Sequence, residues 1–229
     1  MNVKIPAFFA FSLLATLSNA SLVIYSGADV ANSTDPRPNS NAAALAYDTA
    51  AAGFGTVNFI TFESAPVGAY SSLALGGGVT LTGIDFGSNN QEIRNSPISS
   101  PDGLFGFNTT AGGSNFASMN GGTMTFTFAT PVQSFGAYFS GVQLSVETVT
   151  FNDGVAQSLN LVNLGSGVQF FGFTDAGQSI SSVTIHVLGD IIGVDDVRHV
   201  QASPVPEPAS LAVLGLGALA LIRRRKPAQ

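Results

Sequence analysis

The sequence predicts an all-β fold, an antiparallel β-sandwich of jelly-roll type with one short N-terminal helix, flanked by a signal helix and a C-terminal transmembrane helix. Three observations predict it. From Val57 onward, brief runs of β-branched and aromatic residues are separated by glycine, asparagine and serine, the texture of sandwiches and barrels. Two of these runs alternate strictly in polarity, which marks a strand with one buried face. No repeat of fixed period occurs and strands do not alternate with helical patterns, so a parallel α/β sheet is disfavoured.

At the N-terminus, Met1-Asn2-Val3-Lys4 is a positive start, and Ile5 to Leu17 is an apolar stretch too short to span a bilayer comfortably. Ser18-Asn19-Ala20 then supplies the small residues that a signal peptidase reads, so residues 1–20 form a signal peptide cut after Ala20. A polar lead-in, residues 21–56, follows. Leu22 to Tyr25 suits a short strand, and Ser26 to Asn39, with Pro36 and Pro38, suits a loop. Ser40 is placed to N-cap a helix over 41–52, and Gly53 sits where a left-handed C-cap belongs.

The β domain is predicted over 57–202. Thr123 to Phe128 puts Met124, Phe126 and Phe128 on one face and threonines on the other. Ser181 to Val187 repeats the pattern, with Val183, Ile185 and Val187 inward and His186 outward. Further strands are expected at Val57 to Phe62, Val79 to Ile84, Val132 to Phe139, Leu144 to Phe151, Ser158 to Val162, Val168 to Phe173 and Ile191 to Val200. About nine strands suggest two packed sheets.

Composition narrows the function. A chain of 229 residues suits one ordinary domain plus appendages. Between residues 21 and 204 only Arg37, Arg94 and Arg198 face thirteen carboxylates, a net charge of −10. Phosphate binding demands the opposite sign, which argues against nucleic acid as a partner. The absence of cysteine removes disulfides, zinc-thiolate sites and thiol nucleophiles together.

The C-terminus, 203–229, reads as a membrane-sorting tail. Val205-Pro206-Glu207-Pro208 precedes an uncharged segment, 209–222, and then Arg223-Arg224-Arg225-Lys226. Fourteen helical residues rise about 21 Å, short of the roughly 30 Å hydrocarbon core, so flanking residues must snorkel or the bilayer must thin. The four cations form a membrane stop that stays cytoplasmic, which leaves the β domain across the inner membrane. In this order, Pro206-Glu207-Pro208, apolar segment and basic cluster resemble the PEP-CTERM sorting signal over about the last 25 residues. The resemblance implies an exosortase that recognises Pro206, Glu207 and Pro208, removal of the tail, and delivery to the outer envelope or extracellular polymer. A plain anchor that is never cut is the alternative.

Phe135-Gly136-Ala137-Tyr138-Phe139, Phe170-Phe171-Gly172-Phe173 and the run Ile192 to Arg198 also resemble ectodomains attached to this signal. Those are similar to jelly-roll, carbohydrate-binding-like modules, which implies an extracellular polysaccharide as partner.

Chemistry-bearing patterns are few. No Gly-x-Ser-x-Gly occurs, and the two candidate bases, His186 and His199, lie in predicted strands. Gly76-Gly77-Gly78 and Gly165-Ser166-Gly167 lack a following Lys-Ser/Thr and read as turns. The best carboxylate cluster is Asp195-Asp196, beside Asp190 and, where terminal strands meet, Glu63. Hard oxygen ligands suit calcium, and the resemblance implies a structural calcium at such a place, with Glu63, Asp195 and Asp196 as its ligands. Adjacent strand residues face opposite ways, so both aspartates serve one site only across a bulge; otherwise one accepts backbone hydrogen bonds. Tyr70, Phe105, Phe107, Phe116 and Tyr138 either form a sugar platform or fill the core. The reading is a non-enzymatic structural or polysaccharide-binding ectodomain; the alternative is an exported polysaccharide hydrolase using a carboxylate pair.

Overall fold

The computed structural model describes residues 21–84, 91–99, 105–144, 147–152, 156–162 and 167–202. The expected signal helix and the tail with its transmembrane segment lie outside them. Among the described residues no helix is long and apolar enough to cross a membrane.

The chain is mostly β with a single helix, in the order β1 (Leu22–Asp29), α1 (Pro38–Ala51), β2 (Asn58–Ile60), β3 (Gly68–Ala69), β4 (Ser72–Gly76), β5 (Val79–Ile84), β6 (Glu92–Arg94), β7 (Phe116–Ser140), β8 (Thr148–Asn152), β9 (Ala156–Asn160), β10 (Val168–Asp175) and β11 (Ile180–Gln201). The expected strands reappear with shifted ends, but β3, β4, β6 and the first residues of β7 carried no clear alternating signal.

All eleven strands join one sheet that curls on itself, because β7 and β11 each run through both of its halves. In the first half, 116–128 of β7 pairs with β5 and β6 on one side and with 182–194 of β11 on the other. There β8 flanks β11, β9 flanks β8, and β4 flanks β5. In the second half, 132–140 of β7 lies between β10 and 193–201 of β11, with β1 and β2 at the edges. Partner numbers run in opposite senses along both β7–β11 contacts, so the pairing is antiparallel.

Gly193 marks the fork, since it partners both Ser118 and Ser140 of β7. A Cβ there would meet Ser140 Oγ at 2.5 Å and Phe116 Cδ2 at 3.0 Å, so the close approach requires glycine. Two irregularities flank it. Val187 pairs with Gly122 but Ile191 with Asn120, so Leu188 and Gly189 loop outward. Asp195 pairs with Tyr138 but Arg198 with Gly136, so one extra residue forms a bulge, with Asp196 in the left-handed region at φ 49°.

The inner faces of the two halves enclose the main core. Phe151 stacks on Phe173 with centroids 4.0 Å apart, and Phe126 tilts against Phe135 at 5.5 Å. Met124, Phe126, Phe128, Val183, Ile185 and Val187 all point into this core, as their alternation predicts. The outer face of the second half is covered by α1, where Tyr47 packs against Phe170 and Tyr138 belongs to the same cluster. β10 is therefore buried on both faces, which explains its unbroken run Phe170-Phe171-Gly172-Phe173. Each fully buried phenylalanine stabilises the fold by roughly 1.5–3 kcal/mol.

The helix begins at Pro38, earlier than the predicted residue 41, and Arg37 rather than Ser40 holds the N-cap position without a side-chain cap bond. Proline is suited to the first turn, where its missing N–H has no partner to lose. The cap is supplied from a distance by Asp29 at the end of β1. Its Oδ2 accepts from Ser40 N (2.7 Å) and Ser40 Oγ (2.6 Å), and its Oδ1 accepts from Asn39 N (3.1 Å). At the other end Ala52 caps in the right-handed region, and Gly53 does not take the left-handed turn expected of it.

Candidate functional site

The carboxylates singled out in the sequence meet the structure in three different places. Asp195, on β11 beside the fork, is 1% exposed. Its Oδ2 accepts from Thr109 N (2.6 Å) and Thr110 N (3.0 Å), and from both threonine hydroxyls at 3.2 Å. Burial pushes its pKa up to about 7, against the pull of the Thr109 and Thr110 N–H donors. Glu63, which follows β2, holds the other end of the same loop, accepting from Ser114 N (3.0 Å), Asn115 N (3.0 Å) and Asn108 Nδ2 (3.1 Å). The two side chains thus clamp residues 108–115 between β2 and β11.

Asp196 turns elsewhere. A bulge is indeed present, but it directs Asp196 to Arg198 Nη2 at 3.0 Å. Arg198 also reaches Asp48 at 3.3 Å and lies over the rings of Phe59, Tyr138 and Phe170 at 5.2–5.3 Å. The structure therefore does not gather Glu63, Asp195 and Asp196 around one point. Among the described residues no three His, Asp or Glu side chains form a group that could hold a metal ion. Asp190 is occupied separately, accepting from Gln143 N (2.7 Å), Leu144 N (3.2 Å) and Ile191 N (2.7 Å).

Both histidines lie on β11. His186 is half-buried on β11 opposite Thr123 and Thr148. His199 is buried 5.3 Å from the Phe128 ring centroid, and burial pushes its pKa down to about 4. Of the aromatic candidates, Phe107, Phe116 and Tyr138 are core residues. The exposed ring that sequence reasoning missed is Phe59, 53% exposed on β2. It lines a cavity of about 330 Å³ together with Phe62, Pro66 and Leu75.

Residues of the clamped loop also line a second cavity, of about 370 Å³. Its walls are Ser33, Arg37, Asn95, Pro97, Asn108, Thr110, Ala111, Gly112, Gly113 and Ser114. Hydroxyls, carboxamides and one guanidinium dominate, and no carboxylate is among these residues. Such a surface can exchange hydrogen bonds with a polar ligand. Nothing local in the sequence marks it, because its residues come from three separated stretches of chain.

Comparison with solved structures finds similarity to the K2 cleaved adhesin domain of Lys-gingipain, at 16% identity and TM-score 0.41, covering 64% of this chain and 99% of that domain. The catalytic domain of GH87 alpha-1,3-glucanase in complex with nigerose is similar at 15% identity and TM-score 0.30, over 62% of this chain and 30% of the glucanase chain. No curated protein matches the chain. At the C-terminus the match is to a motif rather than a fold: residues 204–226, which contain Pro206, Glu207, Pro208 and the Arg223 to Lys226 cluster, match the PEP-CTERM protein-sorting motif. The chain carries a PEP-CTERM sorting signal behind an all-β domain.

Proposed function

We propose that the protein is anchored in the inner membrane with its C-terminus cytoplasmic, cut by an exosortase, and delivered to the outer envelope or extracellular matrix. There its ectodomain, a sandwich of jelly-roll type, binds polysaccharide without catalysing its breakdown. The observation that carries this reading is the PEP-CTERM motif at 204–226, placed directly after a β domain whose last strand ends at Gln201. The polar cavity beside the clamped loop supports the binding role, because sugars are held by hydroxyl and carboxamide groups on a preformed surface. Among the described wall residues none is a carboxylate, whereas glycosidases place two across the scissile bond, and this supports a non-enzymatic role.

Mass spectrometry of the protein recovered from the cell envelope tests the sorting half. The expected mature chain starts at Ser21 and lacks Arg223 to Lys226. Recovery of an intact Lys226-Pro227-Ala228-Gln229 terminus would identify a permanent anchor instead. Pull-down of the mature protein on extracellular polysaccharide tests the other half, and failure to bind any glycan would leave a structural role alone.

A further inference from the structure

Only three cations occur between residues 21 and 204. Arg94 pairs with Glu92, and Arg198 pairs with Asp48 and Asp196. Among the described residues Arg37 pairs with no carboxylate. Its contacts are the Phe107 ring, 5.9 Å from the guanidinium carbon, and a backbone bond in which its carbonyl accepts from Asn41 N. Its Nη1 is buried and meets no hydrogen-bond acceptor. A guanidinium without a partner in a cavity wall is costly unless an anion meets it, and its planar fork fits a carboxylate through two parallel hydrogen bonds.

The surroundings narrow the choice of anion. Ser33, Asn95 and Ser114 line the same cavity as Arg37 and supply hydroxyl and carboxamide groups, the complement of a ring bearing hydroxyls, while the Asn108 amide and the Thr110 hydroxyl in the same wall already donate to Glu63 and Asp195. The net charge of −10 over residues 21–204 opposes a polymer charged at every unit, because like charges repel within the Debye length of about 8 Å at physiological salt. At about 370 Å³ the cavity is at the small end of ligand sites, so it reads one charged unit rather than a long stretch.

We infer that this cavity binds a uronic acid unit set among neutral sugars, its carboxylate on Arg37 and its hydroxyls on the surrounding amide and hydroxyl groups. The inference rests on the polysaccharide-binding reading above and gives it a substrate class.

Binding of the mature protein to three polymers tests it: gellan, whose uronates are spaced by neutral sugars, neutral dextran, and polygalacturonate, charged at every sugar. Gellan should bind best. Arg37→Gln should weaken gellan binding roughly tenfold or more while leaving any dextran binding unchanged, and Arg37→Lys should lose less. Asn95→Asp, at an exposed wall residue, should weaken gellan binding by adding a repelling charge, which covers the case in which Arg37→Gln fails to fold. Equal binding to gellan and dextran, or gellan binding indifferent to both substitutions, would overturn the inference while leaving polysaccharide binding intact. Failure of all three polymers to bind would overturn both.

Discussion

Glu147 is a weak point at the scale of single residues: it is 0% solvent-accessible and its carboxyl lies beside that of Asp190. Burial and the adjacent Asp190 charge raise its pKa from 4.5 to about 7. The folded chain therefore holds a proton that the unfolded chain releases. The stability this contributes is complete below 4.5 and is lost as pH rises through about 7. Glu147→Gln, which stays neutral, should unfold at higher urea than the parent at pH 8 and at about the same urea near pH 4; equal midpoints at pH 8 would refute the assignment. Gly193→Ala should cost about 1–3 kcal/mol, read as a lower urea midpoint, because its methyl group meets Ser140 Oγ at 2.5 Å. Residues of this kind were legible in the sequence only where their partners are local. The alternation of Met124, Phe126 and Phe128 foretold their burial, and the adjacency of Asp195 and Asp196 foretold that they separate unless a bulge intervenes. The bulge is there, but Arg198 decides where Asp196 points, and no rule of spacing names that competitor.

Between elements, the helix shows why boundaries are harder to read than existence. Its alanine-rich body is evident in the sequence, whereas its cap is Asp29, on a different element. Ser40 has the right chemistry for a cap, yet it lies inside the helix and donates its hydroxyl to that aspartate. Desolvation opposes the charge on Asp29, but the Ser40 and Asn39 donors outweigh it and hold the pKa below the ordinary carboxylate value. Asp29→Ala should lower stability by about 1–3 kcal/mol, measured by urea unfolding, because the buried Ser40 donors lose their acceptor. Asp29→Asn, which keeps one acceptor, should lose less. Unchanged stability in the alanine variant would show that the helix start is held by packing alone. The short strands escaped notice for a related reason. Glu92-Ile93-Arg94 buries one apolar side chain and gains its identity from pairing with β7, a partner that no local pattern announces. Conversely, Gly121-Gly122 and Leu188-Gly189 look like turns between separate strands, and the structure carries β7 and β11 straight past both pairs as irregularities.

For the whole molecule, the sorting motif was far more legible than the polar cavity. A sorting motif is contiguous and is read as a string, whereas the cavity is assembled by folding from distant stretches. Because β7 and β11 belong to both halves of the sheet and the main core lies between them, urea unfolding followed by circular dichroism and by tyrosine fluorescence should give coincident single transitions. A two-step curve would mean that the halves are separable. Leu22 pairs with Asp175, so the first strand waits for a partner from the far end of the chain, a topology that folds slowly. β11, which stitches both halves together, ends at Gln201, and the sorting motif begins at 204. On the export route proposed above, the last piece needed to close the domain is threaded immediately ahead of the sorting tail. On that route the sheet closes late, once β11 has crossed, so the domain sets only at the end of its passage.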